Sequence, residues 1–426
     1  MFVLILFCAQ LLFCVIFGIP IEYPMLAGLV IFTLYGKNCG YSWKSLAKMI
    51  AEGIKTSKTI LFIFIFIGLL TAFWRASGTV PYIVCFAGDF IRPNTMIILT
   101  FLLNCMVSVL TGTAFGTSAT MGTICMSVAV SMGLSPLPIG GAIICGVYFG
   151  DRCSPVSTSA LLVSELTKTN LYTNLRLMIK TAFVPFVLSC IFFAVCGLFF
   201  TAERPETVSL WEIFGQEFRL HWIALIPAII ILVLPLFKVN VKWTLGTSIG
   251  AAVVICLFLQ GYAPSEVLDF AVFGFKAGAE DVNALLNGGG ILSMVRVGII
   301  VCASSAYSGI FQETGLLESI KDRIEAFGEK TNAYTAMVLT SVITAMIACN
   351  QTLTIILTHQ LCSETEKDRQ TEAIDLENSA VVIAPLVPWS IAVCVPLSII
   401  GGSRLCILFA FFLYILPLWT IIRKHK

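Results

Sequence analysis

TGTAFGTSAT, residues 111–120, and ACNQTLT, residues 348–354, are the stretches on which the fold turns. Each interrupts a long apolar run, 96–134 and 333–362, with residues too small and too polar for ordinary helix in hydrocarbon. Backbone groups freed by such an interruption are satisfied only by surrounding protein or by a water-filled cavity. Both runs are therefore expected to enter a membrane, turn, and leave on the side they entered, as re-entrant helical hairpins.

The rest of the chain supplies the membrane. Of 426 residues, 58% are hydrophobic and 12% charged, against about 25% charged in an ordinary soluble domain. Apolar runs near or above the roughly 18 residues that read as membrane-spanning recur along the whole length. Full spans are expected at 1–19, 22–36, 58–75, 137–160, 182–200, 221–238, 243–260, 289–311, 377–400 and 403–422, about ten in all. The first run has no basic residue before its apolar core and a second span follows closely, so it reads as a retained helix rather than a signal peptide. A formal charge of +2, with no dense basic cluster, gives nucleic acid no support as a partner. The expected partner is the lipid bilayer. The 16 cysteines are scattered through apolar spans with no CxxC pair, which suits small buried hydrophobes better than disulfides or metal.

Placing the N-terminus in the cytoplasm puts most of the 26 Lys and Arg there, among them Lys37, Lys44, Lys48, Lys55, Arg176, Lys180, Arg423 and Lys424. Both termini are then cytoplasmic, and the expected location is a bacterial cytoplasmic (inner) membrane.

A repeat runs through the chain. Gly40-Tyr41 recurs as Gly261-Tyr262, Gly53 and Lys55 as Gly274 and Lys276, Thr117 as Thr354, Pro155 as Pro388, and Ser157 as Ser390. Each half holds five spans, an odd number, so the second copy must enter the membrane upside down. The loop 37–58 is basic, whereas its counterpart at 261–288 carries Glu266, Asp269, Glu280 and Asp281. The expected fold is thus an all-α polytopic membrane protein, an inverted repeat of five-helix units. Residues 1–200 form the first unit, with hairpin 96–134 and a broken helix at 137–160. Residues 201–220 link it externally to the second unit, 221–426, with hairpin 333–362 and a broken helix at 377–400. Inverted repeats with binding near the midplane are a recurring architecture of secondary transporters, so a carrier is expected.

The chemistry is expected at the tips and breaks. Around the first tip, Thr113, Thr117 and neighbouring carbonyls offer hard oxygen ligands of the kind sodium takes. Packing or back-bonding to the helix is the alternative reading for such hydroxyls. Asn350, Gln351 and Thr354 occupy the matching place at the second tip. The first break reads Gly150-Asp151-Arg152-Cys153-Ser154-Pro155, then Ser157 and Thr158. An acid such as Asp151 near mid-membrane usually marks an ion or proton pathway, and capping of a half-helix is the alternative. The second break, Ala384 to Ser390, has two prolines; Glu377 and Asn378 precede it. Glu377 is read equally as a pathway acid or a solvated carboxylate at a helix start. Arg296 lies within the apolar run 291–301, where a partner carboxylate such as Asp151 or Glu377, a bound substrate carboxylate or snorkelling would make it tolerable.

TGTAFGTSATMG at 111–122, GAIICGVYFGDRCSPVS at 141–157, LENSAVVIAPLVPW at 376–389 and GYSW at 40–43 resemble the NhaC family of sodium/proton antiporters, within the wider ion-transporter superfamily. The resemblance implies a scaffold and a mobile unit built from hairpins and broken helices. Asn350, Asn378 and Thr158 depart from the family pattern, which usually has acids at those places, and Arg296 stands where the family tends to be uncharged. Under this reading sodium, the transported or coupling ion, binds among Asp151, Ser154, Ser157 and Thr117, with protons competing for Asp151. No cofactor is expected. Because the family also includes carriers of organic acids and amino acids, a small organic anion or amino acid anchored by Arg296 is the alternative cargo. A homodimer is compatible with the superfamily resemblance. An intramembrane aspartyl protease would need a second facing aspartate, and none occurs in such a motif; a Walker loop is also absent, so no enzyme is expected.

Overall fold

The computed structural model describes residues 2–200, 210–237, 239, 241–278, 282, 286, 288–314, 332–362 and 368–424, Val156 excepted. Among them the regular structure is helical, with one isolated bridge between Phe275 and Gly288. The first helices are α1 (Phe2–Ile16), α2 (Glu22–Asn38), the amphipathic α3 (Trp43–Thr56), α4 (Lys58–Ala76) and α5 (Thr79–Phe90). The first hairpin and broken helix follow as α6 (Pro93–Thr111), α7 (Ala114–Thr117), α8 (Thr123–Ser131), α9 (Pro136–Cys153) and α10 (Thr158–Thr167). Then come α11 (Leu171–Phe199), α12 (Leu210–Gly215), α13 (Ile226–Val233), α14 (Val241–Ile255), α15 (Pro264–Phe273) and α16 (Val295–Thr314). The second hairpin and broken helix are α17 (Ala333–Ala348), α18 (Gln351–Cys362), α19 (Arg369–Asn378), α20 (Ala380–Ile383) and α21 (Ile391–Ile400), and α22 (Phe411–Lys424) closes the chain.

Gly112 stops α6 in the left-handed conformation, φ 65°, with its N–H on the Ser108 carbonyl at 2.8 Å. The chain returns through α7, a π-turn at Ser118–Gly122, and α8. This return is antiparallel to α6: the Thr111 and Thr117 hydroxyls meet at 2.8 Å, and farther from the tip Asn104 Nδ2 reaches Cys125 Sγ at 3.7 Å. Helix α9 then runs parallel to α6, with Gly146 against Asn104 and Gly150 against Ser108. At Gly150 the two backbones touch so closely that a Cβ would overlap Ser108 and Val109. Ser108 Oγ also donates to the Val147 carbonyl at 2.5 Å. The ends of α6 and α9 therefore lie at one level.

The second hairpin repeats the first. Cys349 stops α17 in the same left-handed conformation, φ 56°, with its N–H on Ala345 O at 3.1 Å. The Thr344 and Thr358 hydroxyls join the antiparallel arms at 2.8 Å. Helices α19 and α20 run parallel to α17, since Tyr334 Oη donates to Asn378 O at 3.0 Å and Trp389 Nε1 to Met346 O at 2.9 Å. The two broken helices are antiparallel to each other. Arg152, at the end of α9, reaches Glu377 O at 3.1 Å, whereas Tyr148, one turn earlier, bonds Ala392 O, fifteen residues later. The hairpins thus point at one another from opposite ends of the bundle.

Several expected boundaries move. The first break falls at 154–157 and its helix continues to Thr167 rather than stopping at 160. The second broken helix begins at Arg369, so Glu377 lies in the last turn of α19 and not at a helix start. It bends by 55° before Ile391. The expected span 58–75 ends in a 62° bend into α5, and 403–422 is split by a 3-10 segment, Arg404–Phe409. In the linker, 210–215 is helical, whereas 201–209, like Glu280 and Asp281 of the acidic loop, lies outside the described residues.

Among the described residues four single helices are long and apolar enough to cross a membrane, or six if each bent pair is one span. This is below the expected ten because several apolar runs are short helices, such as Val3–Cys14, Trp222–Ile231 and Ile291–Tyr307. Each arm of the first hairpin is long enough to cross by length and composition. Helix α18, with 12 residues, is about 18 Å long and falls short of a hydrocarbon core of about 30 Å.

Candidate functional site

Asp151 stands where both tips and the first break converge. It is 4% exposed and lies in the last turn of α9. Its carboxylate accepts Ser159 Oγ at 2.8 Å, Gln351 Nε2 at 3.2 Å and Ser157 Oγ at 3.5 Å, and the Ala114 backbone N–H faces it. Ala114 belongs to the first tip and Gln351 to the second. The same Gln351 amide donates to Val381 O at 3.0 Å, tying the acid to the backbone of α20. All four donors to Asp151 are neutral. Hydroxyls also carry acceptor lone pairs, so Ser157 and Ser159 can turn oxygen toward a cation held by the carboxylate.

The other nominated residues hold the turns that build this place. Thr113 caps α7 by accepting the Gly116 N–H at 3.2 Å, and Asn350 caps α18 by accepting that of Leu353 at 2.8 Å. Ser157 accepts from Ala160 N and Ser390 from Ala392 N, each at 3.3 Å, at the two restarts after the breaks. Thr117 and Thr354 both bond back to the carbonyl four residues earlier, Thr113 O at 2.9 Å and Asn350 O at 2.7 Å. Position by position, the two halves use the same local devices. Ser154 is buried beside the break, whereas Thr158 is exposed.

Arg296 is not where its apolar neighbours suggested. It sits at the start of α16, its side chain is 80% exposed, and it pairs with Glu22 at 3.7 Å rather than with Asp151 or Glu377. Arg152, by contrast, is a cation with no exposed surface. It donates to Glu377 O at 3.1 Å, Met178 O at 3.3 Å, Thr181 Oγ1 at 3.2 Å and the Asn378 side-chain oxygen. Arg152 thus closes the carbonyl end of α19, a favourable place for a cation. Glu377 beside it is also fully buried, and neither of its carboxyl oxygens has a hydrogen-bond partner among the described residues. Sequence reading missed Ser159 and Arg152; an arginine directly after the candidate acid was the available signal.

The model of the Na+/H+ antiporter family matches residues 2–146 and 146–423, nearly the whole chain. The chain belongs to that family. Among relatives in the Na+/H+ antiporter family and its neighbourhood, the malate-2H(+)/Na(+)-lactate antiporter of Bacillus subtilis is 29% identical over 397 residues, 89% of this chain and 83% of its own. The Na(+)/H(+) antiporter NhaC of Alkalihalophilus pseudofirmus is 24% identical over 409 residues, 94% and 88%. The arginine/ornithine antiporter ArcD of Halobacterium salinarum is 26% identical over 392 residues, 88% and 80%. With its apolar helices, this Na+/H+ antiporter family member is a multi-pass membrane protein.

Proposed function

We propose that the protein exchanges sodium for protons across a membrane, with Asp151 as the carboxylate that the two ions occupy in turn. The observation that carries this is the convergence on Asp151 of both hairpin tips, through Ala114 and Gln351, and of Ser157 and Ser159 beyond its own break. A buried acid reached from both halves is placed to bind an ion in alternation from either face.

The matching caps at Thr113 and Asn350, the matching left-handed stops at Gly112 and Cys349, and the antiparallel broken helices support reading 1–200 and 221–426 as inverted copies. On this reading both hairpins are re-entrant and the breaks meet inside the membrane, with both chain ends in the cytoplasm. Sodium would take oxygens from Asp151, Ser157, Ser159 and Ser154, while Asn350, Thr113 and Ser390 hold the turns around them. An organic cargo is the weaker reading, because Arg296 is exposed and paired with Glu22.

Asp151→Asn, purified and reconstituted in proteoliposomes, is expected to lose sodium-driven proton movement and sodium homoexchange while remaining inserted. Sodium exchange at the wild-type rate in that variant would remove Asp151 from the mechanism.

A further inference from the structure

Between α11, α19 and α22 lies a cavity of about 280 Å³, close to the lower end of the roughly 300–1,000 Å³ found for small-molecule sites. Leu177 and Thr181 line it from α11, Asn378 from α19, and Trp419 and Arg423 from α22. Its buried end is the Asn378 side chain, which has no exposed surface. A guanidinium only donates hydrogen bonds, so the amide oxygen of Asn378 is the atom turned to Arg152, and it also takes Thr181 Oγ1 at 3.4 Å. That orientation leaves the Asn378 NH2 group as a buried donor with no acceptor among the described residues. Burying a donor unanswered is costly, so the occupant of the cavity has to accept.

The remaining polar groups of the lining divide in the same sense. Gln370 Nε2 is spent on Asn174, Thr371 Oγ1 on Asp368 and Thr420 Oγ1 on Leu416 O. Asp375 holds Lys424 Nζ at 2.5 Å, so those two charges cancel. Trp419 Nε1 and the Arg423 guanidinium have no hydrogen-bond or ion-pair partner among the described residues. The lining therefore keeps one net positive charge, that of Arg423, and three donor groups without acceptors: Asn378, Trp419 and Arg423. They stand on two helices. A tetrahedral oxyanion offers acceptors on several sides, where a flat carboxylate offers them along one edge, and arginine is well matched to phosphate.

The level of the cavity fits such a ligand. Trp419 is half-buried one turn before the basic end of α22, and along α11 exposed Arg176 and Lys180 give way to exposed Phe183 and Val187. Aromatic and basic side chains at the ends of apolar helices mark the headgroup level of a bilayer. Basic pockets between helices at that level take lipid phosphates.

We propose that this cavity is a phosphate-binding site, with Asn378 Nδ2 at its buried end and Trp419 Nε1 and Arg423 nearer its mouth, filled by the headgroup phosphate of an anionic lipid or by free phosphate. It is separate from Asp151 and stands whether or not Asp151 carries sodium. Phosphate on the Asn378 NH2 group fixes the amide and, through its oxygen, Arg152. Occupancy thereby ties α22 to the joint between α9 and α19.

The test is the melting temperature of the purified full-length protein in detergent with phosphatidylglycerol or phosphatidylcholine added, and with inorganic phosphate or chloride at equal ionic strength. Phosphatidylglycerol over phosphatidylcholine, or phosphate over chloride, is expected to raise it by a few degrees. Arg423→Gln is expected to lose at least half of that rise. Asn378→Asp is expected to lose it all, because the new carboxylate repels an anion while still accepting from Arg152. A rise with phosphatidylglycerol and none with inorganic phosphate assigns the site to lipid; the reverse assigns it to free phosphate. No rise with either, or a rise that persists in both variants, overturns the proposal. Native mass spectrometry covers an Asn378→Asp protein that fails to fold: Arg423→Gln should retain one bound phosphatidylglycerol or phosphate fewer than wild type, and an equal number overturns the proposal.

Discussion

Gln351 Nε2 lies 3.2 Å from Asp151 Oδ2, a bond between the second hairpin tip and the first broken helix across 200 positions of sequence. The same amide bonds Val381 O, so one side chain fixes the distance between the acid and the opposite half.

Replacing Gln351 by Leu keeps the bulk and removes the donors. Two buried acceptors then lose a partner, at a cost of about 1 to 3 kcal/mol each. Exchange in proteoliposomes is expected to fall by about tenfold or more, 1.4 kcal/mol being a factor of ten. Wild-type kinetics would mean that the contact is not made in the working cycle.

Arg152 and Arg296 are expected to behave oppositely. Lysine at 152 lacks the fork that serves Glu377 O, Met178 O and Asn378 together, and Arg152→Lys is expected to lower thermal stability in detergent by several degrees, a loss of about 2 kcal/mol or more. Arg296→Met breaks one ion pair with Glu22 in which the arginine side chain is 80% exposed, a change of about 0 to 1 kcal/mol. Its melting temperature and sodium exchange should both stay near wild type; collapse of exchange would restore Arg296 to the pathway.

Gly150→Ala puts a methyl into the backbone of Ser108 and Val109, and overpacking of this kind costs about 1 to 3 kcal/mol. Gly250, in α14, has nothing within 4 Å of a new Cβ, so Gly250→Ala is its control. Helix propensity favours alanine there by up to about 1 kcal/mol. Thermal scans should separate the two, with Gly150→Ala the lower; equal stability would mean that α6 and α9 are not closed on each other.

Topology can be read from one thiol. Of the cysteines Cys39 is exposed, at the end of α2, whereas the others are buried or half-buried. If both termini are cytoplasmic, a membrane-impermeant maleimide should label Cys39 in inside-out vesicles and not in intact cells. Labelling in intact cells would turn the whole arrangement over.

Much of this was legible from residue chemistry. TGTAFGTSAT and ACNQTLT announced chain reversals because a glycine, small residues and capping polar groups have no good role inside a continuous span. The breaks after Asp151 and before Ser390 were legible for the same reason. Burial partners were not. Arg296 looked stranded because its flanks are apolar, but its own side chain faces outward and meets Glu22. Arg152 looked incidental because two of its acceptors are main-chain carbonyls, which leave no trace in a sequence, and the others lie far along the chain or beside it. Glu377 seemed to begin a helix because the apolar run begins there; the polar turns before it are helical and packed.

The contact at Gly150 has a mechanical consequence. Gly146 and Gly150 bring the two backbones into contact and Ser108 Oγ ties them to each other, so α6 and α9 form one stiff shaft. The joint on the other side of α9 is of another kind: Tyr148 to Ala392 O and Arg152 to Glu377 O are side chains resting on carbonyls, and such pairs can let go and regrip a neighbouring oxygen. Any rocking that exposes Asp151 first to one side and then to the other should be sought at that softer joint, with the shaft carried along whole.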